Sequence, residues 1–197
     1  MTFDLKEPTE EVPVVPPTKS KRRGFLEWLI VLIAAVVVSF LVRTYVVQEY
    51  SIPSGSMRPT LDIGNRILVN KLSVDFGTIN VGDIVVFKAP PAVAKDCGDD
   101  IADLVKRVIG VPGDVLSTKG NTIYINGVKL QQKWSHFPAL GADGAIHNFT
   151  VPAGQYFMMG DNHADSCDSR TWGTVPRSDI IGKAFVKIWP LSQWHWF

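Results

Sequence analysis

The run GFLEWLIVLIAAVVVSFLVRTYVVQEY follows Lys21-Arg22-Arg23 and holds no charged residue from Trp28 to Val42. So apolar a stretch must be hidden from water, which leaves a lipid span, a buried core helix or a cleaved leader. The uncharged part alone is shorter than the roughly 20 residues a helix needs to cross a bilayer. Extended from Phe25 to Val47, it takes in only Glu27 and Arg43, both near the ends. There a long side chain can snorkel to the interface. Trp28, Tyr45 and Tyr50 stand near the two boundaries, as interfacial aromatics do. No small-x-small cleavage site follows the run closely, so an uncleaved anchor over 24–47 is expected.

The basic cluster before this span predicts a cytoplasmic N-terminus by the positive-inside rule, with everything after Val47 on the other side. Residues 1–23 mix glutamates with Pro8, Pro13, Pro16 and Pro17 and end in the basic cluster. They read as a disordered basic tail. Residues 48–197 are then an extracytoplasmic domain.

That domain reads as mainly β and mostly antiparallel. NRILVNKL, GDIVVFKAP, DLVKRVIGVPGD, NTIYINGVKL and KAFVKIWP are short β-branched or aromatic runs broken by Gly, Pro, Asn and Asp. Asn126-Gly127, between TIYI and VKL, is the sharpest hairpin signal, because both central residues of a type I′ turn need positive φ. No run after Gln48 shows convincing helical periodicity. The short interval 115–157 predicts a small β appendage.

Composition narrows the chemistry. With 46% hydrophobic residues, 20% charged residues and a net charge of +1, the chain has a core to bury and no polyanion-binding field, so nucleic acid is not an expected partner. Cys97 and Cys167 lack metal or redox spacing and are too few for a disulfide framework. They either pair or stay free. The calcium-loop reading of the polar stretch GDNHADSCDSRTWG fails, since Ser166 and Trp172 stand where Gly and Glu are required. His163, Asp165 and Cys167 alternate, but no second ligand cluster accompanies them, and no metal is expected.

SIPSGSMRPTL sets Ser54 and Ser56 around Gly55, between Pro53 and Pro59. Residue types alone make this an ordinary polar turn or a stiffened holder for a nucleophile. In DLVKRVIGVPGD, read as a strand, Leu104, Lys106 and Val108 share one face. Such a lysine either snorkels from an edge or is buried, and burial disfavours its ammonium form. Four histidines are present and only His163 is close in sequence to other candidate site residues.

Together SGSMRPTL, GDIVVFKAP, KRVIGVPGD and GDNHADSCDSRTWG, in this order behind an N-terminal span, resemble the bacterial type I signal peptidases. The resemblance implies a Ser/Lys dyad protease without cofactor, acting through an acyl-enzyme on the signal peptides of exported preproteins at the bacterial cytoplasmic membrane. By the same resemblance Ser56 is the nucleophile and Lys106 the general base. Ser54 joins the backbone N–H of Ser56 in the oxyanion hole, and Ser166 positions the lysine. Arg107, Asp161, Asp168 and Arg170 brace the site. Small residues one and three before the cut imply shallow pockets, with Ile52, Met57, Leu61 and Val105 for the nearer and Tyr50, Ile67 and Val86 for the farther. Ala164 and His163 depart from the family's more polar run. Asn65 stands where the family often has Asp. Two rivals are a narrow-range pilin-processing peptidase of a conjugation system and an anchored binding domain with a degenerate site.

Overall fold

The computed structural model describes residues 21–98, 101–132, 134 and 144–197, with side chains from 24 onward. Of the tail expected over 1–23, residues 1–20 lie outside them, and Lys21–Arg23 belong to the first helix instead. The chain divides into two compact units, 1–40 and 41–197.

The first unit is the helix α1 (Lys21–Leu41). It carries no charge from Trp28 to its end, and every side chain from Phe25 to Phe40 is exposed. The helical run 24–46 is long and apolar enough to cross a membrane.

The second unit begins with a five-residue π-helical turn, Val42–Val46, and continues as antiparallel β structure. Its larger sheet contains β1 (Val47–Ser51), β2 (Arg66–Asn70), β3 (Ile84–Lys88), β4 (Asp103–Gly110), β9 (Gln155–Met159), β10 (Val175–Pro176), β11 (Ile180–Trp189) and β12 (His195–Trp196). The order is β1-β2-β11-β3-β4-β9-β10, with β12 paired to β11. A second sheet holds β5 (Val115–Lys119), β6 (Thr122–Ile125), β7 (Val128–Lys129) and β8 (Phe149–Thr150) in the order β7-β6-β5-β8. Asn126 and Gly127 join β6 to β7 with φ of 52° and 79°, the positive pair that the type I′ turn requires.

The two-residue period assigns opposite faces of the large sheet to different cores. Val85, Phe87, Val108, Tyr156 and Met158 pack on one side with Trp172 and Val175. Val86, Ile67, Val69, Ile84 and Ala184 pack on the other with Ile52, Met57 and Leu61. A third cluster, including Ile109, Leu116, Ile123, Val151 and Phe157, fastens the small sheet to β4 and β9.

Short helices correct the expectation of strands alone: α2 (Leu72–Asp75), α3 (Pro91–Cys97) and α4 (Ser169–Trp172). None spans enough turns to print a 3.6-residue pattern. Terminal chemistry makes α3 instead, with Pro91 in its first turn and Gly98 closing it at φ 72°. Its last residue, Cys97, is disulfide-bonded to Cys167 with a Cα–Cα distance of 6.0 Å, which resolves the cysteine alternatives.

Candidate active site

Two loops and one strand build the site. The first loop is the serine turn, closed by Arg58 N–H donating to Gly55 O at 3.1 Å and Leu61 N–H donating to Met57 O at 2.9 Å. Met57 and Leu61, at 1% and 0% exposure, drive its apolar side into the core, and the hydroxyls are left on the other side. Ser54 Oγ and Ser56 Oγ lie 3.3 Å apart.

The second loop runs from Gly160 to Trp172 and backs onto that turn. Asn162 donates from its main chain to Ser56 O at 3.0 Å and from its side chain to Gly55 O at 3.3 Å. Gly160 sits where the two meet. A Cβ built on it would collide with both Ser56 O and Ser166 Oγ. The serine turn and Ser166 thus close around one α-carbon.

The strand is β4, which brings in Lys106. Its ammonium or amine nitrogen donates to Ser166 Oγ at 3.0 Å, and the residue is 3% exposed. A lysine so covered is not the snorkelling edge residue that the sequence left open. A chain of neighbours therefore runs from Ser54 through Ser56 and Gly160 to Ser166 and Lys106.

The charged residues brace the two loops. Arg107 grips Asp161 with two bonds of 2.8 and 2.7 Å, donates to Gly82 O at 2.6 Å and lies over the Trp134 ring at 4.5 Å. Thr60, at the far end of the serine turn, donates to the same Asp161 at 2.5 Å. A bidentate arginine pair is strong and directional. It joins β4, the second loop and the serine turn in one buried knot. Asp168, with 0% exposure, accepts from Arg170 Nε at 2.7 Å and from Gly160 N–H at 3.2 Å. Arg170 in turn donates to His163 O at 2.8 Å and Ser166 O at 3.2 Å.

His163 is engaged by a neighbour other than the serines. Its Nε2 is 3.2 Å from Gln132 Oε1, and burial, then the Arg170 cation, pushes its pKa below the usual 6.5. Cys167 is committed to Cys97, which removes it from any zinc set with His163 and Asp165. Among the described residues no group of three His, Cys, Asp or Glu side chains is placed to hold a metal.

A cavity of about 260 Å³ opens beside the two serines, lined by Tyr50, Ile52, Met57 and Val105 among others. Leu61, Ile67 and Val86, also expected as pocket walls, are fully buried behind it in the core that includes Ile52 and Met57. Three residues without an expected role take part: Gly160, Asn162 and Asp103, the last a lining residue of the cavity. Gly160 and Asn162 flank Asp161 in GDN, and that glycine was the only sequence signal for the tight contact.

A family model described as signal peptidase, peptidase S26, matches residues 25–189. The chain belongs to this signal peptidase family. A signal peptidase I of Leptolyngbya laminosa is 34% identical over 196 residues, 98% of this chain and 95% of that protein. A probable signal peptidase I-1 of Synechocystis is 37% identical over 179 residues, 90% and 89% of the two chains. A crystal structure of an Enterococcus faecalis signal peptidase I, 28% identical, covers 54% of this chain and 96% of its own with a TM-score of 0.42. Peptidase S26 is a serine peptidase family.

Proposed function

We propose that this chain is a membrane-anchored serine endopeptidase that removes N-terminal signal peptides from exported preproteins by a Ser56/Lys106 dyad. The observation that carries the reading is the buried Lys106 nitrogen, bonded to Ser166 at 3.0 Å beside the serine turn. Burial favours the neutral amine, the form able to accept a proton. Ser166, which accepts one N–H, holds that amine in place for proton transfer from Ser56.

In the proposed cycle Lys106 takes the Ser56 proton as Oγ attacks the scissile carbonyl. The Ser54 hydroxyl and the Ser56 N–H stabilise the oxyanion. The protonated lysine then donates to the leaving amine, and water resolves the acyl-enzyme with Lys106 again as base. No metal or organic cofactor is needed for any step. The substrate lies extended between two strand edges, each belonging to a segment that is paired on one side only. Among the described residues, β1 pairs only with β2, and Asp103–Lys106 of β4 pairs only with β3. Strand addition of this kind supplies main-chain affinity, while alternate side chains enter pockets. Shallow walls of Ile52, Met57 and Val105 favour a small residue just before the cut.

The lipid bilayer is the second partner. The run 24–46 serves as an uncleaved anchor in the bacterial cytoplasmic membrane, with the basic N-terminus inside and residues 48–197 outside. The Cys97–Cys167 bond supports that side, since disulfides persist in oxidising compartments. Anchorage also raises the effective concentration of a substrate held in the same membrane.

Incubating purified preproteins of unrelated sequence with the full chain in detergent, and sequencing the new N-terminus, tests the proposal. Ser56→Ala and Lys106→Ala should each lower cleavage by about 10⁴-fold or more while the protein stays folded. Cleavage at the wild-type rate by either variant rules the dyad out.

A further inference from the structure

The cavity beside the serines is not apolar throughout. Asp103 and Val105 alternate along β4 and therefore point to the same face, about 6.6 Å apart by strand geometry. Tyr50 and Ile52 stand in the same relation across the cavity. Ile52 continues the β1 ladder by one residue, its N–H donating to Asn65 O at 2.9 Å. All four side chains belong to residues that line the cavity. They form two rungs, Ile52 with Val105 and Tyr50 with Asp103. An extended substrate repeats its side chains at the same spacing, so residues one and three before the cut meet successive rungs.

The first rung is greasy and the second is not. The Tyr50 hydroxyl and the Asp103 carboxylate share this end of the cavity, and the phenol is pushed up to about 12 by burial first and by Asp103 second. The hydroxyl therefore stays protonated and donates. A carboxylate offers about four acceptor positions, and the tyrosine takes one. An apolar substrate side chain pressed onto this rung covers the rest without replacing water's hydrogen bonds, which is costly. A hydroxyl-bearing side chain of the same size can donate to them.

We propose that Asp103, held in place by the Tyr50 hydroxyl, is a specificity-determining residue that favours threonine or serine three residues before the scissile bond. This rests on the peptidase reading above, and it adds a polar selection where small size alone would otherwise decide. Valine and threonine have nearly the same shape, so the pair isolates the hydroxyl. An apolar pocket would favour valine or at best treat the two alike. The Asp103 rung reverses that order.

The test uses two preproteins that differ only by Val or Thr at that position, each cleaved by the full chain in detergent. The wild type should prefer Thr by about tenfold in kcat/KM, a difference of about 1.4 kcal/mol. Asp103→Asn or Asp103→Ala should bring the Thr/Val ratio down to one or below. Tyr50→Phe removes one oxygen and should lower the ratio severalfold by releasing the carboxylate. It supplies the reading if an Asp103 variant does not fold. A wild-type ratio of one or less, or a ratio unmoved by these substitutions, overturns the inference while leaving the peptidase reading intact. A wild type that cuts neither preprotein overturns both.

Discussion

Gly160 is the residue on which the packing of the site converges. Its neighbours are a main-chain oxygen of the serine turn and the hydroxyl that receives the Lys106 bond, and a Cβ would collide with both. The main-chain oxygen is the less free to yield, since Asn162 N–H holds it at 3.0 Å. Gly160→Ala should therefore leave the cores intact and displace Ser56 relative to Ser166. Displacements near 1 Å at a catalytic centre cost about a hundredfold in rate. The expected result is a loss of that order in kcat with little change in KM and a native circular dichroism spectrum. A variant within threefold of wild type would mean that the two loops give way without consequence. The role of this residue was hidden in the sequence because a glycine shows no side chain to reason from. Lys106, by contrast, was partly legible, since strand alternation put it among apolar neighbours.

At the scale of elements, the strands were legible and the second loop was not. NRILVNKL and GDIVVFKAP contain β2 and β3, and KAFVKIWP holds most of β11, because β-branched composition is a local signal. The loop from Gly160 to Trp172 is fixed by contacts that no local pattern records. Thr60 to Asp161 bridges 101 positions, and Cys97 to Cys167 bridges 70. The resemblance named Ser166 as the residue that positions the lysine and Asp161, Asp168 and Arg170 as braces, but not which groups those three grip. Within the loop, Ser166 is secured twice: Arg170 holds its carbonyl, and the adjacent Cys167 is tied to the end of α3. Closing a loop of that length stabilises a fold by roughly 4 kcal/mol, mainly by restricting the unfolded chain. The Cys97→Ser/Cys167→Ser double variant should accordingly melt about 10 °C lower. Because the arginine tie remains, its cleavage rate well below that melting temperature should fall by no more than a few fold. A loss as deep as that of Ser166→Ala would instead show that the disulfide alone positions the hydroxyl.

For the molecule as a whole, the consequence of building a site from buried polar groups is sensitivity to acid. His163 is 2% exposed, and its pKa is lowered below 6.5 by burial and by the Arg170 cation. A group whose folded pKa is lowered resists protonation in the native state and accepts it once unfolded. Well above pH 6.5 both states are neutral at this position and the histidine adds no pH dependence. As pH falls below 6.5 the unfolded chain gains a proton that the folded one refuses, so stability declines until the folded pKa is reached, then levels off. The slope for one proton is about 1.4 kcal/mol per pH unit, or roughly 3 to 5 °C in melting temperature for a chain of this size. Carboxylates titrate lower and add their own dependence, so the comparison that isolates the histidine is with His163→Gln, which keeps an amide near Gln132 and loses the titration. Thermal unfolding of both proteins from pH 7.5 to pH 5 should show the wild type losing stability faster, with the gap opening at pH 6.5 and growing downward. Parallel curves would place the acid sensitivity elsewhere, and a gap that opened above pH 7 would contradict the sign of the shift.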